Sequence, residues 1–228
     1  MGVLVGGDAG GSAIGMAPDA RWIAAKIFND RGLATTTGIH RALQWLLDPD
    51  RDLATADAPD VVLNAWTGSA PGCRAEFQPD LANLRAAGIL PVFAAGNYGP
   101  SPGTVFSPAA DPPAVPVGAV DGADVVDPAS SRGPSPCGGA VAPRLVAPGV
   151  AIRTTDRYGL YVDASGTSLA APHVAGAAAL LLSAYPDLTA DQQEAALAAG
   201  AVDLGPPGPD DTYGYGRLDV LAAYRLIG

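Results

Sequence analysis

The sequence is poor in basic residues. Thirteen lysines and arginines stand against 23 aspartates and glutamates, which gives the 228 residues a formal net charge of -10 at pH 7. This balance argues against nucleic-acid binding, because a nucleic-acid-binding surface needs clustered basic residues. An acidic net charge favours instead a soluble protein that does not self-associate.

Long apolar stretches and targeting signals are also lacking. No run of residues is long and apolar enough to predict a transmembrane helix. Residues 1–8 hold neither a basic region nor an apolar core, so no signal peptide is visible. The 29 glycines and 22 prolines are scattered between apolar runs, which argues against disorder. The length fits one domain that covers residues 1–228.

Cysteine and histidine each occur only twice. Cys73 and Cys137 lie far apart in the sequence and do not have the spacing of metal ligands. Two interpretations stay open from the residues alone: two buried thiols, or one structural disulfide typical of an oxidising compartment. No group of carboxylates shows the spacing of a calcium-binding loop, so no metal ligands are predicted.

Apolar periodicity predicts alternating strands and helices. The predicted strands cover residues 20–28, 60–66, 89–95, 114–120 and 145–147, and the first three predicted helices cover 37–47, 79–87 and 168–185. Thr189, with Gln192 as its capping-box partner, begins a further helix that Gly200 ends, and Asp219 caps a last helix that ends near Ile227. This alternation predicts an α/β protein with a mainly parallel sheet and no second domain.

The strongest chemical signal is the stretch GTSLAAPHVAG at residues 166–176. Ser168 follows a flexible glycine and opens a helix of small residues. Free N–H groups and the positive end of the helix stabilise developing negative charge there, which suits a nucleophile. Local physics alone nevertheless favours an ordinary N-capped buried helix.

This stretch resembles the active-site serine motif GTSMA-x-PHVAG of the subtilisin-like serine proteases, the subtilases of peptidase family S8. Leu169 in place of Met is the one departure, and it conserves volume. Six further stretches resemble sequence motifs of the family and occur in the same order along the chain: residues 15–20, 60–68, 93–97, 130–134, 147–149 and 213–219. The resemblance therefore covers essentially the whole chain. The bacillopeptidase-F-like branch is the most similar, and cysteines near Cys73 and Cys137 are familiar in it.

The resemblance implies a three-layer fold with a mainly parallel central sheet flanked by helices, and it assigns roles to residues. Ser168 would be the nucleophile, and Asn97 would stabilise the oxyanion together with the Ser168 N–H. The substrate-binding residues implied are Ala65, Trp66, Thr67, Gly68, Ala94, Ala95 and Gly96. Two of them depart from the family pattern, because Ala65 replaces a usual Ser and Thr67 a usual Gly. A threonine side chain would narrow this edge of the cleft.

The resemblance also implies two catalytic groups that this sequence does not hold. Subtilases place Asp, His and Ser in that order along the chain, and residues 1–7 resemble the segment that follows the catalytic histidine. His40 is expected on the surface of a helix, and His173 is expected to be structural. We therefore expect a catalytic domain without its Asp and His segments, whose sheet lacks a strand between residues 20–28 and 60–66. Such a chain should have almost no peptidase activity alone.

The expected function is that of a serine endopeptidase that forms an acyl-enzyme on Ser168. A non-catalytic pseudoprotease that binds extended peptides is the alternative. The expected partners are a polypeptide substrate and the protein's own N-terminal segment as a separate piece, with neither nucleic acid nor membrane. The family implies an extracellular location and often binds Ca²⁺, for which this sequence offers no assignable ligands.

Overall fold

The computed structural model describes residues 1–138 and 140–228. The helices are α1 (Gly2–Val5), α2 (Thr36–Trp45), α3 (Gln78–Ala86), α4 (Thr167–Ala184), α5 (Ala190–Ala199) and α6 (Val220–Ile227). The strands are β1 (Val61–Asn64), β2 (Leu90–Ala94), β3 (Val115–Val120), β4 (Leu145–Pro148), β5 (Ile152–Thr155) and β6 (Tyr161–Ala164). Most of the predicted elements are therefore confirmed within a few residues.

The main sheet has the order β1-β2-β3-β4, and all of its strands are parallel. Every residue of β2 and β3 is buried. Parallel strands that are covered on both faces need such continuous apolar sequences. The prediction of an α/β protein with a mainly parallel sheet is confirmed.

Helices cover the two faces of this sheet and form two apolar clusters with it. On one face α4 packs against all four strands, with α5 and α6 beside it. On the other face lie α2 and α3. Alanines at positions such as Ala171, Ala175 and Ala178 are almost fully buried in α4. Their small side chains let the helix axis lie close to the sheet, which yields the three layers that the resemblance implied.

The prediction that no stretch is apolar enough to span a membrane is wrong for α4. This helix has 18 residues with a mean hydropathy of 1.4, and by length and composition alone it could cross a bilayer. In the structure α4 is the central helix of the core and contacts every strand of the main sheet. Its apolar composition is consistent with this packing, because a helix whose residues are mostly buried lacks a broad polar face.

The capping signals read from the sequence are confirmed. Thr189 and Gln192 form a reciprocal capping box at the start of α5, and Gly200 ends that helix. The Asp219 side chain accepts a hydrogen bond from the N–H of Ala222, at 2.9 Å, at the start of α6. These signals are local, so the sequence alone was sufficient to find them.

The predicted strand at Ala20–Phe28 is wrong. These residues form no strand, and most of their side chains are exposed, including Trp22 at 61%. An apolar stretch becomes a strand only where a neighbour supplies hydrogen bonds, and within the described residues β1 has β2 as its sole partner. The antiparallel β5–β6 hairpin and the short helix α1 were not predicted.

We expect the amides of residues 21–28 to exchange with deuterium far faster than those of β2, because no described backbone hydrogen bond is donated by residues 21–28. Hydrogen exchange with mass spectrometry of the isolated chain measures this difference. Peptides from α2, which is also near the surface, serve as the internal control. Protection of residues 21–28 equal to that of β2 would contradict the unpaired conformation.

Candidate active site

Ser168 is the second residue of α4. Gly166 precedes the helix with a φ of 135°, a conformation that side chains other than glycine's rarely adopt. The Ser168 N–H belongs to the first turn of the helix, where N–H groups have no acceptor within the helix. Its hydroxyl donates a hydrogen bond to the carbonyl of Ala65 at 3.0 Å. The helix start therefore presents a hydroxyl and a free donor at one point.

Asn97 lies three residues beyond β2 and faces the start of α4. Its Oδ1 accepts two hydrogen bonds, both 3.0 Å long, from the N–H and from the hydroxyl of Thr167. With Oδ1 engaged in this way, the Nδ2 group is left as a donor directed away from Thr167. A side chain at Gly166 would place its Cβ 3.1 Å from that Nδ2, so glycine keeps the space beside the donor open.

Thr167 is the functional residue that the sequence analysis did not single out. It is fully buried, and its Oγ1 also accepts a hydrogen bond from the N–H of Gly96 at 3.2 Å. One side chain thus connects the end of β2, the Asn97 carboxamide and the start of α4. The sequence offered one signal for Thr167: it directly precedes Ser168 in the GTSLAAPHVAG motif, in which the sequence analysis assigned a role only to the serine.

The segment at residues 130–134 supports the loop that carries Asn97. Ser131 donates its N–H to the Gly96 carbonyl at 2.9 Å and accepts from the Tyr98 N–H at 3.1 Å through Oγ. Gly96 has a φ of 110°, and a Cβ there would lie 2.8 Å from the Ser131 Oγ. Only glycine fits this position, which accounts for the glycine before the asparagine.

Residues 65–68, which follow β1, include four of the predicted substrate-binding residues. Ala65 is exposed, and Thr67 and Gly68 are half-buried. The Trp66 ring packs edge-on against Phe28 and Phe93, with ring centroids 6.1 and 5.6 Å away. This aromatic contact packs the half-buried Trp66 side chain against the apolar cluster on the α2–α3 face of the sheet.

The remaining predicted substrate-binding residues, Ala94, Ala95 and Gly96, are buried. The Ala95 N–H is taken by the carbonyl of Val117 at 3.0 Å. Their side chains offer no surface to a ligand. What this segment presents beside Ser168 is its backbone and the Asn97 carboxamide that follows it.

A disulfide joins Cys73 to Cys137 behind residues 65–68. Ser107 connects the two features, since its Oγ lies 3.4 Å from the Cys137 sulfur and its carbonyl accepts from the Gly68 N–H at 3.2 Å. The Ser107 Oγ also accepts from the Arg74 N–H at 2.9 Å. The disulfide therefore lies against Ser107, the residue whose carbonyl binds the backbone of Gly68.

Asp111 is a buried carboxyl in the same cluster. It is 2% exposed, and its Oδ1 accepts a hydrogen bond from the Ser107 hydroxyl at 2.6 Å. Burial raises the pKa of the Asp111 carboxyl above its ordinary value, and the hydrogen bond from Ser107 opposes part of that effect. Protonation of Asp111 is therefore coupled to folding of the region around Ser107 and the disulfide.

Neither histidine lies at the serine. His40 on α2 pairs through Nδ1 with the Asp80 carboxylate of α3 at 2.6 Å. His173 on α4 donates from Nδ1 to the Leu169 carbonyl at 2.9 Å, and burial lowers its pKa. Since these are the only histidines of the sequence, the 228 residues provide no imidazole hydrogen-bonded to Ser168.

Two groups of side chains lie close enough to share a metal ion within the described residues. In the first, Cys73, Asp111 and Cys137, the two sulfurs are bonded to each other and are not free to act as ligands. The second is Asp48, Asp50 and Asp57, which the sequence analysis missed. Asp50 and Asp57 accept hydrogen bonds from N–H groups of their own loop, whereas Asp48 Oδ1 is buried and has no hydrogen-bond partner among the described residues.

The sequence profile of the Subtilase family, Peptidase S8, matches residues 2–216. Bacillopeptidase F of Bacillus subtilis (strain 168) is 37% identical over 240 residues, which cover 99% of this chain and 16% of that protein. Subtilisin DY of Bacillus licheniformis is 36% identical over 212 residues, covering 92% of this chain and 70% of that protein. The chain therefore spans only part of these relatives.

Two solved structures are similar in fold and in sequence. Sphericase superposes with a TM-score of 0.83 and 29% identity, covering 96% of this chain and 75% of that one. A structure titled S41 Psychrophilic Protease superposes with a TM-score of 0.83 and 28% identity, with the same coverage. The three-layer arrangement described above is thus shared with these proteins.

Replacing Asp111 by asparagine should remove a pH-dependent loss of stability. The pKa of the Asp111 carboxyl in the folded chain lies above the ordinary value of 3.8. The neutral carboxyl therefore contributes its full stabilisation below pH 3.8, and this contribution is lost as pH rises through the pKa of the folded state. Urea unfolding from pH 4 to pH 7 measures it. The Asp111→Asn variant should lose less stability over this range than wild type. Asp8→Asn, at an exposed position, is the control, and equal pH slopes for wild type and Asp111→Asn would contradict the coupling.

Proposed function

The chain belongs to the subtilase family, and from that premise we propose that it is the nucleophile-bearing part of a serine endopeptidase, with residues 1–228 forming one incomplete catalytic domain. The observation that carries the proposal is the arrangement at the start of α4. There Ser168 lies beside a carboxamide, Asn97, whose oxygen is held by Thr167. A binding site alone needs neither an oriented amide donor nor a serine beside it.

In the proposed reaction the Ser168 oxygen attacks the carbonyl carbon of a peptide bond. The carbonyl oxygen becomes an oxyanion that accepts hydrogen bonds from the Asn97 Nδ2 and from the Ser168 N–H. Such donors act where charge develops, and in subtilisin the loss of one donor lowers turnover about 10²–10³-fold. Expulsion of the amine leaves an acyl group on Ser168, which water then removes.

The attack requires a base that takes the proton of Ser168. Its hydroxyl donates to the Ala65 carbonyl, and a backbone carbonyl is too weak a base for this step. Both histidines of the chain are engaged elsewhere. In subtilisin, removal of the catalytic histidine alone lowers turnover about 10⁶-fold. We therefore propose that this chain alone is almost inactive and needs a histidine–aspartate pair from another segment.

The proposed source of that pair is the protein's own N-terminal segment, held as a separate piece. Two observations support this partner. The free edge of β1 offers unpaired backbone groups within the described residues, which an added strand would satisfy. In residues 20–28, Trp22, Ile23 and Phe28 are 61%, 44% and 37% exposed, and the Phe28 ring contacts Trp66, which follows β1. We propose that the added segment covers part of this apolar surface.

The proposed substrate is a polypeptide bound in extended form along residues 65–68, and the proposed location is extracellular. The Cys73–Cys137 disulfide supports that location, because disulfides persist in oxidising compartments. Calcium is a cofactor of subtilisin-like proteases, and we propose no ligands for it in this chain.

A second candidate is a peptide-binding pseudoprotease. Two features favour it: the lack of an imidazole at Ser168, and Thr67, which replaces a usual glycine in the cleft wall. The oriented Asn97 carboxamide favours the enzyme instead, since binding of an extended peptide does not require a donor at an oxyanion position. Reactivity of Ser168 separates the two candidates.

We expect a fluorophosphonate to modify Ser168 in the presence of added imidazole, which replaces the missing base, and hardly at all in its absence. Intact-mass analysis with peptide mapping detects the adduct, and Ser168→Ala is the matched control. Labelling without imidazole at the rate of a complete subtilisin would contradict the proposed inactivity. No labelling under either condition would contradict the enzyme and favour the pseudoprotease.

Replacing Thr167 by valine should slow imidazole-dependent labelling about tenfold, since the Asn97 oxygen loses one of its two hydrogen bonds, of about 1–1.5 kcal/mol, and only the backbone N–H of residue 167 still orients the carboxamide. Thr167→Ser keeps the hydroxyl and should label within about twofold of wild type. The labelling rate is measured by intact mass against time, and thermal unfolding checks that both variants are folded. Equal rates for valine and serine variants would exclude a positioning role for Thr167.

A further inference from the structure

The two cysteines of the Cys73–Cys137 disulfide differ in their access to solvent. Cys73 is an exposed residue, and its Sγ accepts a hydrogen bond from the side-chain amide of Gln78 at 3.6 Å. Cys137 is only 7% exposed. An external thiolate exchanges with the disulfide sulfur that it can reach. Attack is therefore directed to Cys73, and Cys137 is the sulfur that leaves.

A buried carboxyl lies beside the sulfur that leaves. Asp111 is 2% exposed, and its Oδ1 lies 3.4 Å from the Cys137 Sγ. Its other oxygen, Oδ2, is buried and has no hydrogen-bond partner within residues 1–138 and 140–228. A thiol can donate a hydrogen bond, whereas a disulfide sulfur carries no proton. Reduction would therefore give this carboxyl a donor that the oxidised chain does not offer.

The disulfide fastens an exposed loop. Residues 69–76 lead from residues 65–68 to α3, and most of their side chains are exposed. The Arg74 N–H donates to the Ser107 Oγ at 2.9 Å, directly beside the disulfide-bonded cysteine of this loop. A covalent bond and a hydrogen bond at neighbouring residues thus attach the loop to the core.

Ser107 connects the disulfide to residues 65–68. Its hydroxyl lies 3.4 Å from the Cys137 Sγ and donates to the Asp111 Oδ1 at 2.6 Å, while its carbonyl accepts from the Gly68 N–H at 3.2 Å. A thiol on Cys137 would compete with the Ser107 hydroxyl for the Asp111 carboxyl. Loss of the covalent bond and this competition would both loosen Ser107, and with it the backbone of Gly68.

We propose that the Cys73–Cys137 disulfide is a reversible redox switch, which a dithiol opens by attack at Cys73, and that opening it loosens the peptide cleft along residues 65–68. The effect on the cleft rests on the proposed function, whereas the exchange at the disulfide does not. The pair is open in a reducing compartment and closed in an oxidising one. The switch therefore keeps the cleft impaired until the chain reaches the oxidising compartment in which it acts.

The exchange takes place in two steps. A thiolate of the dithiol forms a bond to the Cys73 sulfur, and the bond between Cys73 and Cys137 breaks. Cys137 leaves with the electron pair and takes up the proton that the attacking thiol released. The second thiol then attacks the first sulfur of the dithiol and displaces Cys73, which is protonated in the same way. The cysteines gain two electrons and two protons in total, and the dithiol becomes a disulfide.

Two single substitutions test the site of attack. Cys137→Ser leaves Cys73 as a free thiol, and Cys73→Ser leaves Cys137 as one. With the aromatic disulfide dithiobis(nitrobenzoate), the Cys137→Ser chain should react at least about tenfold faster, because Cys73 is exposed and Cys137 is buried. Absorbance of the released aromatic thiolate measures the rate. Equal rates, or a faster reaction of Cys137, would overturn the proposed order of attack.

Trypsin cleavage after Arg74 measures loosening of the loop without requiring catalysis. Wild type is reduced with dithiothreitol and freed of the reagent, and it should then be cleaved at Arg74 at least about tenfold faster than oxidised wild type. The double variant Cys73→Ser/Cys137→Ser should be cleaved at the reduced rate whether or not it was treated. Cleavage after Arg31, in another exposed segment, is the internal control and should not change.

Reversibility separates a switch from general unfolding. Circular dichroism of reduced wild type should remain that of the folded chain, and reoxidation with oxidised glutathione should restore slow cleavage after Arg74. Equal cleavage of the reduced and oxidised chains would refute the switch. Reduction that occurs only when the chain unfolds would refute it as well.

Two reagents for Ser168 test the effect on the cleft. An alkyl fluorophosphonate needs little beyond the serine itself, whereas a tripeptidyl phosphonate also has to bind along residues 65–68. With added imidazole, reduction should slow labelling by the peptidyl reagent at least about tenfold relative to the alkyl reagent. Intact mass against time measures both rates. An unchanged ratio would overturn the coupling of the disulfide to the cleft.

Failure of the proposed function has a different signature. If neither reagent labels Ser168 in either redox form, the proposed endopeptidase site is refuted, and the effect on the cleft falls with it. Cleavage after Arg74 then still decides whether the disulfide switches the loop.

Discussion

The packing of α4 against the four parallel strands is the contact on which the rest of the structure depends. Alanines along the helix bring it close to the sheet. Because the carboxyl ends of parallel strands lie at one edge of a sheet, the start of α4 lies beside the segments that leave β1 and β2. That is why a serine at the helix start contacts Ala65 on one side and why Thr167 contacts Asn97 on the other.

The edge of the same sheet is the basis for proposing that a further segment takes part in the reaction. Both faces of a parallel sheet are covered in folded proteins, whereas an edge strand keeps unpaired backbone groups, and the described β1 is such an edge strand. Apolar side chains of residues 20–28, Trp22 among them, remain exposed. In our proposal one added segment would supply both the base at Ser168 and a strand at the edge of β1.

Local signals predicted most of the fold well. Helices α2 to α6 follow from apolar spacing and from caps such as Thr189 and Asp219, which act within one turn. Residues 20–28 show the limit of this approach, since an apolar run has the same composition whether or not a neighbouring strand exists to pair with it. Trp66 shows a second limit: the sequence predicted it as part of the cleft wall but not that its ring packs with Phe28 and Phe93.

By itself the sequence determined the α/β class, the helices α2 to α6 to within a few residues and, through its motifs, the family and the candidate roles of Ser168 and Asn97. Only the tertiary structure decided that the two cysteines are bonded, that Thr167 holds Asn97, and that the Thr67 methyl faces Gly96. The reason is physical. Periodicity and caps depend on residues a few positions apart, whereas these contacts join positions about thirty to seventy apart that the folded sheet alone brings within bonding distance.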